Sequence, residues 1–145
     1  KNMNNNNDIK KGVEPPVKDH GPEPYIFNVA AAANRNTAYR AAVWTGKKLQ
    51  MTLMSIPVRG EIGLEMHPDT DQYIRVEGGA GLVRFGRAKD RLDAGRRVIA
   101  GDGIFVPMGT WHNVINVGAQ PLSLSSVYGP PQHPRGTYQP VKPVE

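Results

Sequence analysis

The sequence contains no cysteine among its 145 residues. Disulfide frameworks and thiolate metal sites are therefore excluded, and any metal must be held by His, Asp, Glu or amide side chains. A cysteine-free chain also fits a reducing compartment. No run of about 18 apolar residues occurs, so no membrane-crossing helix is expected. Lys1 to Asp8 is polar and Asn-rich and lacks the apolar segment of a secretory signal. A cytoplasmic location is expected on these grounds. The first residue is Lys, so a trimmed N-terminus is expected.

What is present is basic, β-prone and rich in turn residues. The formal net charge is +5. Basic groups are densest at Arg84, Arg87, Lys89, Arg91, Arg96 and Arg97, interrupted by Asp90 and Asp93. No aromatic interleaving or recognition helix accompanies them. The stretch reads as the solvated rim of a hairpin, and no nucleic-acid partner is expected.

The length suits one domain with one core. Residues 1–24, with an Asn tract, Pro15-Pro16 and Gly21-Pro22-Glu23-Pro24, read as a flexible arm. Residues 25–130 read as the folded domain, and the proline-rich residues 131–145 as an extended tail. Short β-like runs fill the middle: Tyr39 to Trp44, Leu49 to Val58, Glu61 to His67, Gln72 to Glu77, Gly81 to Phe85, Arg97 to Ala100, Ile104 to Val106, His112 to Val117 and Leu122 to Tyr128. Gly, Pro and Asp punctuate them at sandwich or barrel spacing, so an all-β fold is expected. Val29 to Asn34 is a short helix candidate.

Strand alternation then sorts the side chains. Gly63, Glu65 and His67 share one face, with Leu64 and Met66 opposite. Gln72, Ile74 and Val76 share a face, as do His112, Val114 and Asn116. Leu64, Met66, Tyr73 and Ile115 are expected to form an apolar outer face, which favours a homodimer. Met54, Val83, Phe105 and Val114 are expected in the core. Asn116 is expected to hold a turn or strand end. Asp69 and Asp71 are expected in solvent, and His20 and His133, in the tails, outside the site. Trp111 reads equally as pocket mouth or packing. Arg40, Arg75 and Arg84 could meet an anionic substrate, but nothing in the pattern turns them inward.

Two segments stand out. One runs from Gly60 through Glu65, His67 and Gln72 to Gly79-Ala80-Gly81. The other is Gly101, Pro107, Gly109, His112 and Asn116 at fixed spacing. The second segment resembles the second motif of the cupin superfamily at every position. The first resembles that family's first motif in spacing, with Glu65 where a His is usual and Gln72 where a Glu is usual. The resemblance covers about residues 40–128. The ending from Tyr128 to Thr137 is similar to small bacterial cupins of the mannose-6-phosphate-isomerase-like subgroup.

The resemblance implies a double-stranded β-helix, or jelly-roll, barrel holding one divalent metal ion. Glu65, His67, Gln72 and His112 are the implied ligands, a set of two imidazoles, one carboxylate and one amide. Mn, Fe, Zn and Ni all suit these donors. Glu65 could instead be a general base beside the metal, and Gln72 a hydrogen-bonding neighbour of the ligands. The expected function is metal-dependent isomerase- or lyase-type chemistry on a small polar, sugar-like or carbonyl substrate. An Fe(II)-dependent dioxygenase and a non-catalytic ligand-binding or assembly cupin are the alternatives.

Overall fold

A computed structural model describes residues 17–144. The Asn tract and Pro15-Pro16 lie outside them. Among the described residues the chain forms one short helix and nine strands. The order is α1 (Val29–Arg35), β1 (Arg40–Thr45), β2 (Gln50–Ile56), β3 (Asp71–Gly78), β4 (Ala80–Gly86), β5 (Ala94–Ile99), β6 (Gly103–Val106), β7 (Trp111–Asn116), β8 (Leu122–Gly129) and β9 (Tyr138–Gln139).

The strands make two facing sheets. One has six strands in the order β6-β3-β8-β2-β1-β9, and the other has three, β5-β4-β7. All pairings are antiparallel. From β3 onward the chain passes back and forth between the sheets, as in a jelly roll. The expected all-β jelly-roll barrel is what the chain forms.

Alternation builds the core. Met54 and Ile56 of β2, Ile74 and Val76 of β3, and Leu122 and Leu124 of β8 point inward from the large sheet. Val83, Val98 and Val114 meet them from the small sheet. These are apolar residues at every second position, which is the pattern of a half-buried strand. The outer face of β1 and β2 is also covered. Val43 and Leu53 pack there against Ala33 of α1, with Val17 and Phe27 beside them. The helix is capped by Asn28, whose Oδ1 accepts from Ala31 N at 2.8 Å.

Segments near both ends of the described residues are tied to β1. His20 N donates to Val43 O, and Asp19 accepts from Thr45, Gly21 and Gly136. In the tail, β9 pairs with β1.

Two expectations are corrected. Phe105 is not in the core: it is 78% exposed. In β6, Ile104 and Val106 take the inward positions, so Phe105 between them must face out. There its ring lies 4.7 Å from that of Tyr73. The expected strand from Glu61 to His67 is reduced to two isolated bridges, Glu61 to Ile115 and Glu65 to His112. Four residue steps on this segment span three on β7, the spacing of a bulge. Gly63, at φ +99°, absorbs the extra residue.

Candidate metal centre

The second motif builds its turn first. Thr110 N donates to Pro107 O, and Gly109 holds φ +80°. That conformation favours glycine at the third position of the turn. Gly109 N also donates to His67 O at 2.8 Å, so the turn fastens the His67 segment to the start of β7. Asn116 closes the other end of β7. Its Nδ2 donates to Ile56 O and Gln120 O, and its Oδ1 accepts from Gly118 N. It holds a strand end, as expected.

The bulge then delivers Glu65. Glu65 N donates to His112 O, and His112 N donates to Glu65 O, at 3.0 and 2.9 Å. Residues paired in this way present their side chains on the same face. Glu65 Oε1 lies 3.3 Å from His112 Nε2 and 3.5 Å from His67 Nε2. The three ligand atoms all fall within 4.8 Å of one another. Donors about 2.1 Å from a shared ion sit about 3.0–3.4 Å apart, so the cluster is close to the size a divalent cation requires.

The two histidines turn their Nε2 atoms toward Glu65. His112 Nδ1 lies 2.9 Å from Thr110 O. A backbone carbonyl at that nitrogen holds a proton on Nδ1, so that in the neutral ring Nε2 is the nitrogen free to take a metal ion. Both Nε2 atoms are buried and have no hydrogen-bond partner. Burial alone would raise the Glu65 pKa. The His112 and His67 rings beside it more than reverse this and hold the carboxyl at about 2. The site therefore keeps its negative charge. The residues present fit a divalent metal ion.

Gln72 occupies the inward face of β3, paired with Tyr128 of β8 and Val106 of β6. Its Nε2 donates to Ser126 Oγ at 2.7 Å, and its Oε1 is buried without a partner. The other charged candidates separate. Arg75 is paired with Glu77, and Arg84 is exposed. Asp69 and Asp71 are exposed, though Asp71 accepts from Met108 N. Trp111 is half-buried at the start of β7. His20 stacks on Tyr25, away from the cluster.

His133 and Arg40 depart from expectation. The tail folds back so that Gln50 clamps the His133 backbone through both its amide groups. The His133 ring then meets the edge of Tyr128 at 5.1 Å, and Tyr128 lies 5.9 Å from His67. Arg40 shares the inward face of β1 with Ala42 and is only 7% exposed. Strand pairing places Arg40 and the Gln50 clamp places His133, both between residues distant in sequence, so no local pattern could have signalled them.

Two clefts, of about 620 and 670 Å³, lie elsewhere. One is between the N-terminal arm, α1 and Tyr138, and the other runs from Asn34 to Lys142. Neither is lined by Glu65, His67 or His112, and the convergence of donor atoms is the better guide to chemistry here.

The Cupin domain family model matches residues 52–128. The chain belongs to the cupin family. Among curated proteins, this cupin is 49% identical over 126 residues to YrkC, an uncharacterized protein of Bacillus subtilis, covering 87% of this chain and 68% of that one. Among solved structures, BH2720 from Bacillus halodurans is 52% identical with a TM-score of 0.86, over 87% of this cupin and 96% of that chain. A predicted oxalate decarboxylase from Thermotoga maritima has a TM-score of 0.51 at 21% identity, over 59% of this chain and 69% of that one, and shares the fold. No helix among the described residues is long and apolar enough to cross a membrane.

Proposed function

We propose that this cupin is a metal-dependent enzyme of the isomerase or lyase type, acting on a small polar molecule with a carbonyl or sugar-like hydroxyl group. One observation carries the reading: Glu65 Oε1 faces the Nε2 atoms of both His67 and His112 within 3.5 Å. Glu65, His67 and His112 are the ligands in this reading, and the unpartnered Gln72 Oε1 is the fourth. A divalent cation of the Mn, Fe, Zn or Ni kind supplies Lewis-acid polarisation of a bound oxygen. Glu65 offsets part of its charge. Thr110, through the His112 Nδ1 contact, keeps one imidazole in register.

The reading includes a homodimer, supported by the exposed Phe105 and its neighbour Tyr73 on the outer face. It includes a cytoplasmic location, which the absence of cysteine favours.

The test is the metal content of protein purified without added metal, beside a His67→Ala, His112→Ala double variant. Near-stoichiometric metal in the first and none in the second is the expected result. Equal, negligible metal in both would overturn the reading.

A further inference from the structure

The inward face of the large sheet carries polar groups that the metal cluster does not use. Gln50 of β2 is paired with Tyr128 of β8, which is paired with Gln72 of β3. One layer deeper, Thr52 is paired with Ser126. Ala42 of β1 is paired with Thr52, so Arg40, two residues before Ala42, points to the same side. These residues are almost fully buried: Thr52 and Tyr128 at 0% exposure, Arg40 at 7%.

Several polar atoms in this region have no hydrogen-bond partner among the described residues. They are Arg40 Nε, Thr52 Oγ1, Tyr128 Oη and His133 Nε2. Gln139 Oε1 accepts from Arg40 Nη1, and no carboxylate among the described residues pairs with the guanidinium. The Tyr128 hydroxyl lies near those of Thr52 and Ser126 but reaches neither with hydrogen-bond geometry. A buried polar group left unmatched destabilises the fold. Four in one region point to a partner that the surrounding side chains do not supply.

Arg40 Nε can only donate, while the two hydroxyls can donate or accept and the imidazole nitrogen donates in one of its two neutral tautomers, so all four can turn a hydrogen toward one ligand. Donors that converge in a buried place select a ligand rich in acceptors. Charge points the same way. The buried Arg40 guanidinium has no carboxylate partner among the described residues, and a divalent ion would keep one charge beyond the one that Glu65 cancels. The ring series His112, His67, Tyr128 and His133, at successive centroid separations of 5.3, 5.9 and 5.1 Å, joins the donors to the metal cluster.

We propose that Arg40, Thr52, Tyr128 and His133 form an anion-binding subsite beside the metal centre, and that its ligand is a small carboxylate. The proposal rests on the metal reading for its charge balance and names the substrate class of that same site. The carboxylate sits between the Arg40 guanidinium and the Tyr128 hydroxyl, and the remainder of the molecule extends toward Glu65, His67 and His112. The His133 ring, held by Gln50, closes that side of the site.

The test is calorimetric titration of Zn(II)-loaded and metal-free protein with malonate, acetate and the neutral isostere malonamide. Malonate is expected to bind the loaded wild type with a millimolar or tighter constant, and malonamide at least about tenfold more weakly. Arg40→Gln should weaken malonate by at least about tenfold, and Tyr128→Phe by several-fold, with Zn(II) affinity unchanged in both. Tyr128→Phe removes one oxygen and keeps the ring, so it decides the matter if Arg40→Gln fails to fold. Malonate binding that is the same in both variants, malonamide binding as tightly, or no carboxylate binding by wild type at about 10 mM would each overturn the subsite. Protein that takes up none of Mn(II), Fe(II), Ni(II) and Zn(II) yet binds malonate through Arg40 would end the metal reading and support the subsite. Protein that takes up Zn(II) and is indifferent to Arg40 would do the reverse.

Discussion

Glu65 and His112 face each other across a single antiparallel bridge, and the same pairing that joins their backbones brings Oε1 and Nε2 to 3.3 Å. Glu65→Gln keeps the bridge and the shape but removes the only carboxylate in the cluster. Metal affinity should fall by more than about a hundredfold, beyond what losing a neighbour of a ligand costs. Competition against a chromophoric chelator measures it. Unchanged affinity would mean Glu65 is not a ligand.

Gly109→Ala isolates the backbone. A Cβ there would meet nothing within 4 Å, so the only penalty is the φ of +80°. The cost should be about 1–2 kcal/mol in urea denaturation. The turn also holds His67 O, so metal affinity should drop with it.

Asn116→Ala removes three hydrogen bonds at once, to Ile56 O, Gln120 O and Gly118 N. The residue is buried, and the carbonyls left behind lose their donor. Destabilisation of about 2–4 kcal/mol is expected from the denaturation midpoint. Metal affinity should change less than in Gly109→Ala, because the lost contacts lie at the far end of β7.

Metal-free protein should lose stability on acidification in two separate windows. Burial, reinforced by the Arg40 charge, lowers the His133 pKa to about 4 from 6.5. The unfolded chain therefore takes up a proton that the folded chain refuses. That contribution is complete above pH 6.5 and is lost as pH falls toward 4. Glu65 acts lower, with stability present above 4.5 and lost as pH falls toward about 2. The Glu65 effect is at most about 3 kcal/mol, and the His133 effect is smaller because solvent reaches part of its ring. Denaturation at a series of pH values should show His133→Asn flattening only the upper window and Glu65→Gln only the lower.

Phe105→Glu tests the outer face. The side chain is exposed, so stability should move by no more than about 0.5 kcal/mol. Light scattering should show wild-type dimers and variant monomers. Monomers for both would remove the homodimer.

The second motif was legible because its physics is local. Gly109 needs a positive φ, Pro107 precedes a tight turn, and His112 follows within a few residues on an alternating strand. The core followed from alternation too, wherever a strand was long enough to show it. Phe105 was misjudged because β6 has only four residues and one of its two outward positions carries an aromatic. Glu65 was legible beside His67, but the backbone that carries it was not: two isolated bridges with an extra residue between them replace the expected strand.

Arg40 and His133 were beyond the sequence. Arg40 is 25 residues upstream of Glu65 and His133 is 68 downstream, both read from the numbering. What turns them toward the cluster is the pairing of β1 with β2 and the clamp of Gln50 on the tail. The sequence by itself determined the fold and the types of donor atom, since turns and alternation act between near neighbours. Only the tertiary structure decided which donors share a space, because register between distant strands depends on how the two sheets bury their faces together.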